Sequence, residues 1–108
     1  MRIWRTEVAP EHVEAYQRFA QERSLPMFQE QPGCLGVLFT HVRDGRRAVV
    51  SFWQDIADVQ RLDSSPTYRD TSNALITAGY LIGDQTVDVL TVEGGGVWRP
   101  FDQTSGLA

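Results

Sequence analysis

The feature that most constrains the fold is a pair of apolar runs, 35–42 and 46–53, joined by Asp44-Gly45. Both runs are rich in the β-branched and aromatic residues that favour strands. The Asp-Gly dipeptide readily adopts the positive φ angles that a two-residue hairpin turn requires. The sequence therefore predicts a tight antiparallel hairpin, in which Thr40 would face Val49.

In that register, both faces of the hairpin are largely apolar. One face would hold Gly36, Leu38, Thr40, Val42, Val49, Ser51 and Trp53, and the other would hold Val37, Phe39, His41, Ala48, Val50 and Phe52. A sheet that is apolar on both faces has to be covered on both sides, and a chain of 108 residues has helices for only one side. A second copy of the sheet is the simplest second cover, so we expect a homodimer through the second of these faces.

Strand and helix signals precede the hairpin. Residues 2–8 form a short run of β-formers, and Pro10 stands where a first helical turn tolerates proline. An amphipathic helical pattern follows Pro10 and ends before Pro32-Gly33. Within it, Pro26 predicts a kink or a restart of the helix.

Helix and strand signals also follow the hairpin. The apolar residues after Asp55 recur at helical spacing. Ser65-Pro66 is typical of a helix N-terminus, and Gly79 is typical of a helix end. Residues 85–93 alternate as a last strand. The complete order, β-α-β-β-α-β, predicts an α+β ferredoxin-like fold with an antiparallel sheet.

Composition limits the number of domains and the classes of partner. With 108 residues, 42% of them apolar, the chain is predicted to form one domain over 1–93, followed by a glycine joint and tail over 94–108. The net charge is -4 and the basic residues are scattered, which argues against nucleic acid or a membrane surface as a partner. No segment has about 18 consecutive apolar residues, and the N-terminus does not resemble a signal peptide. We therefore expect a cytoplasmic protein.

Cysteine and histidine are too few and too dispersed to indicate a metal site. Cys34 is the only cysteine, which excludes an internal disulfide and favours a small buried core residue. His12 and His41 have no metal-ligand spacing. The sequence also contains no phosphate-binding glycine loop before a helix and no G-x-S-x-G motif. We therefore expect neither a metal nor another cofactor.

Four short motifs carry a resemblance to a known family. They are EVAPEHVEAYQRF, QPGCLGV, SFWQD and DVQRLDSSPTYRD, and together they resemble the antibiotic biosynthesis monooxygenase (ABM) domain family over residues 2–93. The resemblance implies a dimeric α+β barrel, in which two four-stranded sheets pack face to face. Similar proteins include cofactor-independent oxygenases of aromatic polyketides, haem-degrading enzymes, and proteins with no known activity.

The resemblance carries over to some functional positions and not to others. Trp53 is similar to the tryptophan that lines the substrate cavity of the quinone-forming oxygenases. The asparagine and arginine that accompany it there would fall near Val49 and Ser72, where this chain has neither. Haem-degrading relatives use an asparagine on strand one and a histidine on helix two, which are absent from 4–6 and 70–73. Because both residues are absent, the resemblance implies that this chain is not a haem-degrading enzyme.

Trp53, the last residue of its predicted strand, has two interpretations. It can close one end of the core across from Gly36, or its indole can form the wall of a substrate pocket with the N–H directed at a substrate oxygen. The residues expected to line such a pocket are Trp4, Thr40, Ser51, Trp53, Tyr68 and Ser72. None of them is an evident general base near neutral pH, so the catalytic residues stay unassigned.

The resemblance and the pocket together favour cofactor-independent monooxygenation of an aromatic or quinol-type small molecule. A deprotonated, electron-rich ring can react with O2 without flavin or metal, so the protein would supply mainly shape and dryness. The alternative is a non-catalytic, small-molecule-binding or stress-related dimer of the same fold, because function depends on the site and not on the fold. A small apolar or aromatic ligand is common to both hypotheses.

Overall fold

The computed structural model describes residues 1–99, which form one antiparallel sheet with helices on one side. The strands are β1 (Arg2–Val8), β2 (Cys34–His41), β3 (Arg46–Trp53) and β4 (Leu81–Val89). Their order in the sheet is β2-β3-β1-β4. The predicted α+β ferredoxin-like class is confirmed. The last strand begins at Leu81 and not at the predicted residue 85, because it pairs with β1 as far as Val8.

Side-chain caps explain where two of the helices, α3 and α4, begin. A short 3-10 turn (Pro10–His12) precedes α1 (Val13–Phe19), a π-helical turn (Ala20–Ser24), α2 (Leu25–Glu30), α3 (Ile56–Leu62) and α4 (Pro66–Thr77). The side chains of Asp55 and Ser65 accept hydrogen bonds from backbone N–H groups in the first turns of α3 and α4. Gly79, with φ +78°, ends the last helical segment as predicted.

The hairpin between β2 and β3 has a longer turn than predicted. The turn consists of residues 43–45. It is flanked by Val42 and Arg46, and the Val42 N–H donates to the Arg46 carbonyl at 2.8 Å. Both Asp44 (φ 65°) and Gly45 (φ 80°) adopt the left-handed conformation. The additional loop residue shifts the pairing by one position, so the predicted register was wrong.

The shifted register changes which residues share a face of the sheet. Phe39 is paired with Val49 and Val37 with Ser51, so these odd-numbered β2 residues lie under the helices. Thr40 is paired with Ala48, and its hydroxyl donates to the Ala48 carbonyl at 2.8 Å on the opposite, open face. The predicted position of Thr40 beside Ser51 and Trp53 is therefore corrected.

The hydrophobic core between sheet and helices has two parts. The β3 cluster consists of the buried residues Met27, Phe28, Val49, Trp53, Val59 and Leu62. The β1 cluster consists of Val8, Tyr16 and Leu75. Trp4, on β1, packs against both clusters. Trp4 therefore lies between the two clusters.

The segment after β4 runs along the surface. The N–H of Leu90 donates to the Met1 carbonyl and the Met1 amino group donates to the Leu90 carbonyl, each at 2.8 Å. Residues 90–99 are exposed. The rest of the predicted tail, 100–108, lies outside the described residues, so the division at residue 93 stays a prediction. Across residues 1–99, every helix is too short or too polar to cross a membrane.

Candidate functional site

A mostly apolar cavity lies between the β3 cluster and the β1 cluster. The cavity is narrow, with a volume of about 50 Å³. Aromatic and aliphatic side chains form most of the wall. The lining residues are Arg2, Trp4, Tyr16, Ala20, Ser24, Met27, Phe28, Phe39, Val49, Tyr68, Thr71, Ser72 and Leu75.

Arg2 and Tyr68 form a hydrogen-bonded polar pair in this wall. Arg2 is the first residue of β1 and lies on the same face of the sheet as Trp4, so its side chain points under the helices and is only 4% exposed. Arg2 Nη2 donates to Tyr68 Oη at 2.8 Å, and the guanidinium carbon lies 5.4 Å from the centre of the Tyr68 ring. The Ser65 cap fixes the turn of α4 that carries Tyr68.

Among the described residues, Arg2 is the only charged one that lines the cavity. Among residues 1–99, the ion pairs are those of Arg5 with Asp88 and of Arg61 with Asp58, so no described carboxylate neutralises Arg2. Among the described lining residues, Tyr16 is the remaining ionisable side chain besides Arg2 and Tyr68. Burial raises the pKa of Tyr16 to about 12, although the nearby Arg47 guanidinium opposes the shift. Tyr16 is therefore neutral at physiological pH, and the cavity has a net positive wall.

Trp53 lies beside the cavity but does not line it. Its Nε1–H donates to Ser51 Oγ at 2.8 Å, and Ser51 Oγ in turn lies 3.5 Å from the Arg2 carbonyl oxygen. Ser51 is completely buried and Trp53 is 8% exposed. The indole N–H is therefore bonded inside the protein and is not directed into the cavity.

Comparison with known proteins identifies the family. The family model described as antibiotic biosynthesis monooxygenase matches residues 1–74. The chain belongs to the antibiotic biosynthesis monooxygenase (ABM) family. A search of curated proteins found no match.

Solved structures share this ABM fold at low sequence identity. One is NE2512, a protein of unknown function from Nitrosomonas europaea, with a TM-score of 0.73, 14% identity, and coverage of 92% of this chain and 93% of that chain. Another is Rv0793 from Mycobacterium tuberculosis, with a TM-score of 0.68, 16% identity, and 96% coverage of both chains. A variant of SnoaB, a cofactor-independent oxygenase from Streptomyces nogalater, has a TM-score of 0.66, 19% identity, and coverage of 87% and 92%. At these identities the likeness shows the fold alone.

The structure brings three of the six predicted pocket residues of this ABM protein to the cavity wall. These three are Trp4, Tyr68 and Ser72. Ser51 and Trp53 lie in the packed core beside the cavity, and Thr40 lies on the open face of the sheet. The functional roles assigned to these residues stay predictions.

Sequence reasoning missed Arg2, Tyr16 and Phe39 as lining residues. Phe39 was assigned to the other face because the predicted hairpin register was off by one. Arg2 could have been found from the sequence, since it lies two residues before Trp4 in a predicted strand and alternate residues share a face.

The single cysteine and the two histidines lie outside the cavity wall. Burial raises the pKa of the Cys34 thiol, which contacts the Gly36 carbonyl at 3.7 Å, so the less reactive protonated form is favoured. His12 packs against Tyr80 with ring centres 5.4 Å apart, and His41 is exposed. In the part of the chain that the structure describes, no three potential metal ligands lie together.

Proposed function

We propose that this ABM protein is a cofactor-independent oxygenase of an electron-rich aromatic small molecule. The observation that carries the proposal is the narrow cavity between the two core clusters, with walls of aromatic side chains and one polar pair, Arg2 and Tyr68. The chemistry of this wall matches a flat apolar ring that carries a polar substituent at one edge, and the cavity of about 50 Å³ would have to widen to admit it. Membership of the family and the similar fold of SnoaB, named a cofactor-independent oxygenase, support the proposal.

The chemistry that fits this site is oxidation of an activated ring carbon by O2. A deprotonated anthrone-type ring transfers one electron to O2, and the resulting radical combines with superoxide to form a peroxide on the ring. After protonation, loss of water leaves a new carbonyl group, so one oxygen atom enters the ring and the other leaves as water. The substrate supplies all the electrons, and the protein would supply position and a dry environment.

The cavity wall contributes position more than proton transfer. Trp4, Phe28 and Phe39 form apolar surfaces on which a ring can lie, and the hydroxyl groups of Tyr68 and Ser72 can orient an oxygen substituent. The wall has no aspartate, glutamate or histidine, so a general base for neutral pH is not among its described residues. The substrate would therefore lose its proton to bulk water before it enters the cavity.

Oxygen uptake tests the proposal directly. The purified protein is incubated with a panel of anthrones and dihydroxynaphthalenes after chelation and without added flavin, and we expect uptake above the buffer rate for at least one of them. Ser72→Leu places extra bulk in the cavity and should lower the uptake at least about tenfold, since it displaces the ring. The matched control is Asn73→Leu, because Asn73 is the next residue of α4 and is exposed. Uptake that is absent for the whole panel would contradict the proposal.

A second candidate function is binding of a small aromatic ligand without catalysis. The absence of a carboxylate or imidazole from the described cavity wall favours it, because most proton-transfer chemistry needs such a group. NE2512, which has the same fold, is described as a protein of unknown function. Saturable binding of an anthrone with no oxygen uptake would favour this candidate over the oxygenase.

We also propose that the active form is a homodimer through the open face of the sheet. Facing residues on that side are Ile3, Leu38, Val50 and Phe52, which are half-exposed and apolar. Val50 and Phe52 belonged to the predicted dimer face, whereas Val37 and Phe39 of that face are covered by helices. Burial of about 2,000 Å² or more is typical of an obligate interface of this kind. A cytoplasmic location stays a prediction.

Sedimentation tests the dimer. We expect a particle of twice the 12.2 kDa chain mass at micromolar concentration. Phe52→Lys should give the monomer, because a lysine at the centre of a dry interface would be an unpaired buried charge. Gln17→Lys, on the exposed side of α1, is the matched control and should leave the dimer intact. A wild-type protein that sediments as a 12.2 kDa particle would contradict the proposal.

A further inference from the structure

We propose that the cavity selects aromatic molecules that carry an anionic oxygen, which Arg2 and Tyr68 bind together. The ligand class is an aryl carboxylate or phenolate, with the ring between the two core clusters and the charged oxygen at the guanidinium. This inference rests on the cavity of the proposed function and specifies what that cavity accepts.

The first argument is that Arg2 is a buried cation without a counter-charge. Its side chain is 4% exposed, and within residues 1–99 it makes one hydrogen bond, to Tyr68 Oη, and no ion pair. Burying a charge without a partner opposes folding, and buried charges in proteins are normally paired. An anionic ligand in the cavity would supply the missing partner.

The second argument is that the hydrogen-bond donors of the pair converge. Tyr68 Oη accepts from Arg2 Nη2, so the hydroxyl proton of Tyr68 stays available to another acceptor. Further N–H groups of the guanidinium have no described protein acceptor. A ligand oxygen beside the pair can therefore accept from both side chains, and such charge-assisted hydrogen bonds are stronger than neutral ones.

The third argument connects the pair to the missing base. The described cavity wall has a cation and no carboxylate or imidazole, so it favours a ligand that is already ionised over one that must be deprotonated inside the cavity. Because Tyr16 stays neutral, this lining side chain does not offset the charge of Arg2.

Arg47 provides a comparison within the same face of the sheet. It is also buried, but its guanidinium lies 5.9 Å from the Tyr16 ring centre, it donates to the Arg46 carbonyl at 3.4 Å, and it does not line the cavity. Of these two buried arginines, Arg2 is the one placed to contact a ligand between the core clusters.

Calorimetric titration at fixed ionic strength tests the selectivity. The ligands are 2-naphthoate as the carboxylate, 2,4-dinitro-1-naphtholate as the phenolate, and 2-naphthamide as a neutral analogue of similar size. We expect at least one anion to bind about tenfold or more tightly than the amide, as a charge-assisted hydrogen bond requires. The anion that binds more tightly shows whether a carboxylate or a phenolate oxygen fits the site better. Equal binding of the amide and both anions would overturn the inference.

Variants assign the selectivity to the pair. Arg2→Met should remove the preference for the anion and leave amide binding within about twofold, while Tyr68→Phe should weaken the anion by a few-fold. Arg18→Met removes one charge from the exposed side of α1 and should change neither. Arg2→Met should also melt at the same or a higher temperature, since it removes an unpaired buried charge. If Arg2→Met keeps the anion preference, the inference is wrong. If Arg2→Met loses stability while Tyr68→Phe binds the anion normally, Arg2 has a structural role.

The inference and the proposed function can fail separately. Tight, Arg2-dependent binding of an anion without oxygen uptake for any ring would retain the inference and remove the oxygenase. Uptake that is as fast in Arg2→Met as in the wild type would retain the oxygenase and remove the role of Arg2.

Discussion

Two neighbouring regions under the helices contain buried polar groups, and they differ in how those groups are satisfied. In the β3 cluster, Trp53 donates to Ser51 and packs among apolar side chains. Beside it, Arg2 is equally buried but faces the cavity with its charge unpaired in the described chain. The two regions are joined directly, because Arg2 and Ser51 are paired across β1 and β3.

The difference separates a structural polar group from a candidate ligand-binding one. A buried polar group that is hydrogen-bonded inside the protein lowers the free energy of the folded state. A buried charge that lacks a partner raises it, and proteins retain such groups mainly at functional sites. Trp53, the residue that resembles the family's cavity tryptophan, therefore lies in the packed region here, and Arg2 lies in the proposed binding region.

The largest expected effect is on stability in the packed region. Trp53→Ala removes a large side chain from the β3 cluster and should lower the free energy of unfolding by about 3–5 kcal/mol. Urea denaturation followed by circular dichroism measures the change. Gln60→Ala, on the exposed side of α3, is the control and should shift stability by less than about 0.5 kcal/mol. A loss below about 1 kcal/mol for Trp53→Ala would mean that this region is not close-packed.

A smaller effect is expected from Trp53→Phe, which retains a ring but removes the N–H. It should cost about 1–2 kcal/mol, because Ser51 loses its donor in a fully buried position. The cost should shrink in a Ser51→Ala background, where the hydrogen bond is already missing. Naphthoate binding should change by less than about twofold in either background. A tenfold loss of binding at unchanged stability would return Trp53 to the binding region.

The fold was predictable because its signals are local. The helix after Asp55, the Ser65 cap, the Gly79 end and the apolar hairpin each depend on a few consecutive residues, and all appear in the structure near their predicted positions. The hairpin register was not predictable from the same information. Asp44-Gly45 is compatible with a turn of two or three residues, and the choice between them exchanges the faces of β2.

The candidate site was less predictable because it depends on contacts distant in sequence. Arg2 and Tyr68 are 66 residues apart and meet only when α4 packs over the first residue of β1. The bond between Trp53 and Ser51 spans two residues, but whether the indole faces inward to Ser51 or outward to a ligand depends on the packing around it. The sequence therefore identified Tyr68 and Ser72 as candidates but not the arginine beside them.

The smallest expected effect concerns Tyr16, an ionisable side chain of the cavity wall that stays neutral at physiological pH. Because burial raises the pKa of Tyr16 from 10.0 to about 12, the folded protein retains this proton at a pH where the unfolded chain releases it. Stability from this group is therefore complete below about pH 10 and is lost as the pH rises from 10 to 12. Between pH 9 and pH 11, the wild type should lose about 1 kcal/mol more than Tyr16→Phe in urea denaturation. Equal losses in the two proteins would mean that Tyr16 ionises normally, and the cavity wall would then carry a negative group close to Arg2 at high pH.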